Sequence, residues 1–177
     1  MARQTEVMLL LILATAATAF ADVVNPQTAA DFDQIVKAEE LRVTKCPFAW
    51  VHFEGRCFSY QATRKDWASA EKHCLDLGAH LVSIHSEYEH QLVKSLIRAH
   101  DLEENTAWIG LNACQKFQKN FFFWSDGTKL LYTKWCPNQP DFYKGVECCV
   151  HMNWSYDKNW NDGHCDLIFP FVCTKSI

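Results

Sequence analysis

This chain of 177 residues lacks several features, and each absence argues against a class of function. It has no basic excess: 17 Lys and Arg against 21 Asp and Glu, interleaved along the chain, give a formal charge of -4. A phosphate backbone would find no positive face, which argues against nucleic acid as a partner. There is no apolar run long enough for a membrane span, which takes ~20 residues. The longest, Met8 to Phe20, follows Arg3 and closes on Ala19 and Ala21, small residues before a cleavage point. Residues 1–21 therefore read as a secretory signal peptide, and no membrane anchor is expected after it. No internal repeat or low-complexity segment is visible. Nor is there an activated nucleophile, an acid and base paired at a recognisable site, or a phosphate loop, so no enzyme is predicted.

What remains after the leader is the size of one domain. Residues 22–45 contain no cysteine and one helical-looking stretch, Ala29 to Leu41, with Phe32, Ile35, Val36 and Leu41 as its apolar members. We read this segment as a neck or pro-segment, with an ordinary first helix as the alternative, and place the domain at 46–177. Nine cysteines in a secreted chain of this length point to a disulfide framework in an oxidising compartment. The count is odd, so at least one thiol stays free or pairs outside the chain.

Two helices are predicted. Thr63 and Asp66 form a capping-box variant before Trp67, Ala70, Cys74 and Leu77, which recur at helical intervals until Gly78 stops the run. Ser86 with Glu89 makes a second cap, followed by Leu92, Val93, Leu96 and Ile97 on one face as far as His100. Short β-prone runs follow or flank these: 58–60, 81–84, 107–111, 121–124, 148–152 and 171–173. Ser125-Asp126-Gly127 marks a turn. Long loops are expected over 114–119 and 134–145. Helices followed by a run of strands give an α+β domain.

The chemistry lies between Gln139 and Asp162. Gln139-Pro140-Asp141, then Glu147, then Trp160-Asn161-Asp162 bring five oxygen-bearing side chains into one stretch. Calcium takes roughly 6–8 oxygen ligands and tolerates irregular geometry, so three carboxylates and two amides suit it and leave positions open for water or a ligand's hydroxyls. The same residue types also build solvated turns. Flanking cysteines at 148, 149 and 165 favour the cation, because a pinned loop can hold ligands in place.

From Cys46 to Cys173 the chain resembles the C-type lectin-like domains. Trp108-Ile109-Gly110-Leu111 looks like that family's core strand motif, and Gln139-Pro140-Asp141 like its galactose-type sugar motif. Within the family it is most similar to fish lectins of the ladderlectin kind and to type II antifreeze proteins. The resemblance implies a calcium ion ligated by Gln139, Asp141, Glu147, Asn161 and Asp162, and a terminal galactose-type glycan bound through the same residues, with Tyr143 stacking on the sugar. Recognition of surface glycans in innate defence is the implied role, and ice binding the alternative. It further implies disulfides joining Cys46 with Cys57, Cys74 with Cys173, Cys149 with Cys165 and Cys114 with Cys148. Cys136 is left over. It precedes Pro137 in the long loop, so an exposed thiol and disulfide-linked oligomers are expected, a buried inert thiol being the alternative.

Other conspicuous residues are assigned to structure. Trp108, Phe122, Trp124 and Phe171 are expected in the core. His80, His85 and His90 suggest zinc, but their spacing does not share a helix face. Asn153-Trp154-Ser155 is a glycosylation sequon beside a predicted core strand, and is expected to stay unmodified.

Overall fold

Asp66 opens the first helix. Its side chain accepts a hydrogen bond from the Ser69 amide at 2.9 Å, and α1 runs over Trp67–Asp76. Thr63 takes no part in this cap; it lies upstream within a strand, and Asp66 serves alone. Gly78, at φ +64°, supplies the left-handed residue that ends the helix. The second helix, α2 (Glu87–His100), begins at Ser86, whose side chain accepts from the Glu89 amide at 3.1 Å. Glu89 reaches back to the His85 amide at 2.6 Å and pairs with Arg56, also at 2.6 Å. The helix buries Val93, Leu96 and Ile97.

The computed structural model describes Gln34, residues 46–116, Gln118 and residues 121–177. The expected signal peptide, and the neck apart from Gln34, lie outside the described residues. Residues 46–177 form one unit with its own core. Its strands are β1 (Val51–Phe53), β2 (Arg56–Lys65), β3 (His80–Leu81), β4 (Ala107–Asn112), β5 (Phe123–Trp124), β6 (Glu147–Trp154), β7 (Asn159–His164) and β8 (Phe169–Ser176). They join in one mixed sheet ordered β1-β2-β8-β4-β6-β7, with β3 on β8 and β5 on β4. The β4–β8 contact, Trp108 opposite Phe171, is parallel; the other pairings are antiparallel.

The strand expected over 81–84 stops at Leu81. Val82 instead donates to Val172 O and accepts from the Gly110 amide, which ties β3's exit to both β8 and β4. Gly110 must be glycine here: a Cβ would meet Leu81 O at 2.5 Å and Ser125 Oγ at 2.9 Å. α2 packs on a core of Phe58, Ile109, Leu111, Trp124, Val150 and Trp160, while α1 covers a second cluster around Trp108, Leu81 and Phe171. Four disulfides staple the unit: Cys46–Cys57, Cys74–Cys173, Cys114–Cys148 and Cys149–Cys165. The third and fourth meet at the adjacent Cys148 and Cys149, tying both the loop after β4 and the segment after β7 to the start of β6.

Candidate functional site

The chain between β5 and β6 is longer than the loop expected over 134–145. It carries no regular element until a 3₁₀ turn at Tyr143–Gly145. This loop is held at its middle by Trp160, whose indole is fully buried against Trp124 and Trp135. The Trp160 amide donates to Lys134 O at 2.8 Å, and Trp160 O accepts from the Cys136 amide at 2.9 Å. Phe142 anchors the far end by stacking on Phe122, ring centroids 5.5 Å apart. Between these anchors the Gln139–Pro140 peptide is cis.

Two backbone bonds then fasten the loop to β7. The Asp162 carboxylate accepts from the Asp141 amide at 3.2 Å and from the Phe142 amide at 2.8 Å. Asp141 in turn accepts from the Tyr143 amide at 3.2 Å. Glu147 enters from the first position of β6. Carboxylate oxygens of Asp141, Glu147 and Asp162 thereby lie within 4.8 Å of one another.

Such convergence is electrostatically unfavourable without a counter-charge. Burial, then the neighbouring Asp162 and Asp141 charges, push the Glu147 carboxyl above its usual value. Burial raises Asp162 as well, with the Asp141 charge adding to it against the opposing pull of the two backbone amides. Two amide oxygens show the same unmet demand: Gln139 Oε1 and Asn161 Oδ1 are buried and accept from nothing. A buried acceptor left unpaired costs about 1–3 kcal/mol. Three clustered carboxylates make an oxygen donor set, which suits a hard cation such as calcium and not a thiophilic metal.

Tyr143 is exposed at the rim, and the Lys144 ammonium lies 5.1 Å from its ring centroid. His151, which sequence reasoning passed over, and Gly163 also border the site. His151 lies opposite Asn161 across the β6–β7 ladder, with Nε2 at 3.3 Å from Asn161 Nδ2. Burial holds the imidazole neutral, its pKa pushed down to about 3. Gly163 makes room for that ring: a Cβ there would meet His151 Nε2 at 3.0 Å. A histidine in the otherwise apolar run Cys148 to Met152 was the available signal.

Cys136 requires a correction. Rather than presenting an exposed thiol, it is 5% exposed, and its Sγ donates to Trp154 O at 3.5 Å. Burial raises the thiol pKa, so little thiolate is available for exchange with another chain. The three histidines first considered for zinc are not gathered. His80 pairs with Glu71, His85 lies against Ser83, and His90 accepts from the Trp160 indole. Asn153 of the sequon is 3% exposed, with its side chain 3.5 Å from Asn105 O.

A two-helix, disulfide-stapled sheet with an acidic loop over its β6–β7 edge has a known counterpart. Residues 63–175 match the family model for the lectin C-type domain. The chain belongs to that family. Ladderlectin of Oncorhynchus mykiss is 35% identical to this lectin domain protein over 150 residues, covering 79% of this chain and 78% of that one. Lactose-binding lectin l-2 of Anguilla japonica is 41% identical over 132 residues, covering 72% and 76%. The solved structure of herring type II antifreeze protein superposes with a TM-score of 0.69 at 38% identity, covering 75% of this chain and 99% of that one. These relatives are lectins and antifreeze proteins, so the lectin domain is a binding module and not an enzyme. Among the described residues no helix is long and apolar enough to cross a membrane.

Proposed function

We propose that this lectin domain acts outside the cell and binds a terminal galactose-type sugar through one calcium ion held by Gln139, Asp141, Glu147, Asn161 and Asp162. The observation that supports this most is the convergence of three carboxylates within 4.8 Å, together with two amide oxygens of the same set that are buried without partners. When bound, calcium supplies coordination positions that a pair of vicinal hydroxyls can complete. The chain's own residues select which pair. Carboxylates only accept hydrogen bonds, whereas the Gln139 and Asn161 amides also donate. The order of acceptors and donors around the ion therefore discriminates hydroxyl orientations, and Gln-Pro-Asp is the galactose-type order. Tyr143, exposed on its 3₁₀ turn, offers an aromatic face to the sugar, from which Lys144 has to be displaced or to which it contributes from the other side. A lactose-binding lectin at 41% identity agrees with this specificity. A galactose-bearing surface glycan, encountered in innate defence, is the target we assign.

Retention on a galactose or agarose matrix tests the reading. Calcium-dependent retention, released by chelator, is the expected result; retention indifferent to chelator, or absent with calcium present, overturns it.

Ice binding is the second reading, favoured by the superposition on herring type II antifreeze protein. Against it, the residues nearest the site, Tyr143, Lys144, Gly145, Val146 and Gly163, include no threonine that could help form a flat ice-matching surface. Because the Cys136 thiol is buried, it is poorly placed to join two chains covalently.

A further inference from the structure

Consecutive residues of a strand point to opposite faces, because side chains alternate with a period of two. The sulfurs of Cys148 and Cys149 converge instead. Across the β6–β7 ladder Glu147 stands opposite His164 and Cys149 opposite Gly163, so Cys148 is the extra residue of a β-bulge, which re-aims its side chain. Cys148 bonds to Cys114 in the loop after β4, and Cys149 to Cys165 just beyond β7. The two disulfides therefore lie against one another, with all four sulfurs within 4.8 Å. Between the bonds, Cys148 Sγ is 3.4 Å from Cys165 Sγ, Cys114 Sγ is 3.5 Å from Cys165 Sγ, and Cys114 Sγ is 3.7 Å from Cys149 Sγ. Cys148 and Cys149 are buried, whereas Cys114 is exposed and offers the way in.

We propose that these two bonds form a thiol-exchange couple: a small monothiol arriving at Cys114 makes the four cysteines trade partners, giving Cys114–Cys149 and Cys148–Cys165 without net reduction. In such exchange a thiolate attacks one disulfide sulfur and the other sulfur leaves as thiolate. The monothiol sulfur bonds to Cys114 Sγ, the Cys114–Cys148 bond breaks, and Cys148 leaves with the electron pair. Cys148 then attacks Cys165, 3.4 Å away, and Cys149 leaves. Cys149 attacks Cys114, 3.7 Å away, and expels the monothiol unchanged. Two protein disulfides are present at the start and two at the end. A disulfide bond is ~2.05 Å long, so each new bond asks its sulfurs to close by roughly 1.5 Å, a side-chain movement and not a refolding. Cys46–Cys57, whose sulfurs join no such cluster among the described residues, has no such relay. The couple begins one residue after Glu147, but the exchange does not depend on the calcium reading.

The full chain with its four disulfides, incubated without oxygen in a catalytic amount of reduced glutathione, tests the idea. Acid stops the exchange, and the pairing is mapped by mass spectrometry with fragmentation between Cys148 and Cys149. The original two pairings should fall while Cys114–Cys149 and Cys148–Cys165 rise by the same amount, with the number of free thiols unchanged. Cys46–Cys57 should gain no new protein partner. An unchanged map at the four cysteines, or a mixed disulfide persisting on Cys114 with Cys148 free, overturns the proposal. Cys149→Ser tests the relay without an incoming thiol, because it leaves Cys165 unbonded at 3.4 and 3.5 Å from the two sulfurs of Cys114–Cys148. Alkylation in acid should then label Cys114 or Cys148 as well as Cys165 and the free Cys136. Label confined to Cys165 and Cys136 overturns the proposal, and the wild-type map decides alone if Cys149→Ser does not fold.

Discussion

Removing the cation should destabilise this protein in a pH-dependent way. Carboxylate oxygens of Asp141, Glu147 and Asp162 lie within 4.8 Å of one another, and burial with the neighbouring charges holds Glu147 and Asp162 above their usual values. A carboxyl whose folded pKa is raised contributes stability below its unfolded value, about 4, and loses that contribution as pH rises through the folded value. Metal-free protein therefore becomes less stable between the carboxylate range and neutrality, the interval in which the deprotonated cluster becomes able to take calcium. Calcium held at 100 times its dissociation constant adds about 2.7 kcal/mol. For a domain of this size each kcal/mol moves Tm by ~3–5 °C, so chelation at about pH 7.5 should lower Tm by roughly 10 °C. At about pH 4.5 protons compete for the same oxygens, so the chelator shift should shrink toward zero and bound sugar should be released. Differential scanning fluorimetry with and without EGTA across that range measures both limbs. A chelator effect of the same size at both ends, or none at neutral pH with calcium in excess, would refute the argument.

Three further outcomes are expected. Gln139→Glu combined with Asp141→Asn exchanges donor and acceptor positions around the ion and should shift preference from galactose toward mannose; unchanged preference on paired sugar matrices would show that the loop order is not the selector. Thermal hysteresis should not exceed that of an unrelated soluble protein at equal concentration, and a clear excess would promote the ice-binding reading. Wild type and Cys136→Ser should migrate alike as monomers on non-reducing gels, because the thiol is buried; a wild-type dimer lost in the variant would mean that the loop opens to expose it.

Local rules made much of the fold legible. Ser86 and Asp66 each cap a helix because a short oxygen-bearing side chain before an apolar-periodic run has few better uses. Trp108 to Leu111 is buried throughout, as an apolar run of that length demands. Strand β7 was not legible. Asn159-Trp160-Asn161-Asp162-Gly163-His164 is made of turn formers, and only its ladder to β6 and the burial of Trp160 make it extended. Cys136 was misjudged for a related reason. Pro137 beside it suggests surface, but the Trp160 carbonyl and the Trp154 carbonyl draw it inward, and neither contact is local in sequence. His151 escaped notice because its neighbour Asn161 lies across the ladder, which no spacing along one strand reveals.

The residues proposed to hold calcium are divided between two kinds of scaffold. Asn161 and Asp162 belong to a buried strand whose neighbours are Trp160 and the β6 ladder, whereas Gln139 and Asp141 sit on a loop fastened at a few points. Substitutions on exposed loop positions usually change stability by within about 0.5 kcal/mol, while buried polar positions tolerate far less. On the calcium reading, the loop half can therefore change while the strand half stays as it is. A change of ligand preference would then require no refolding, only substitution in the loop half of the proposed cation site.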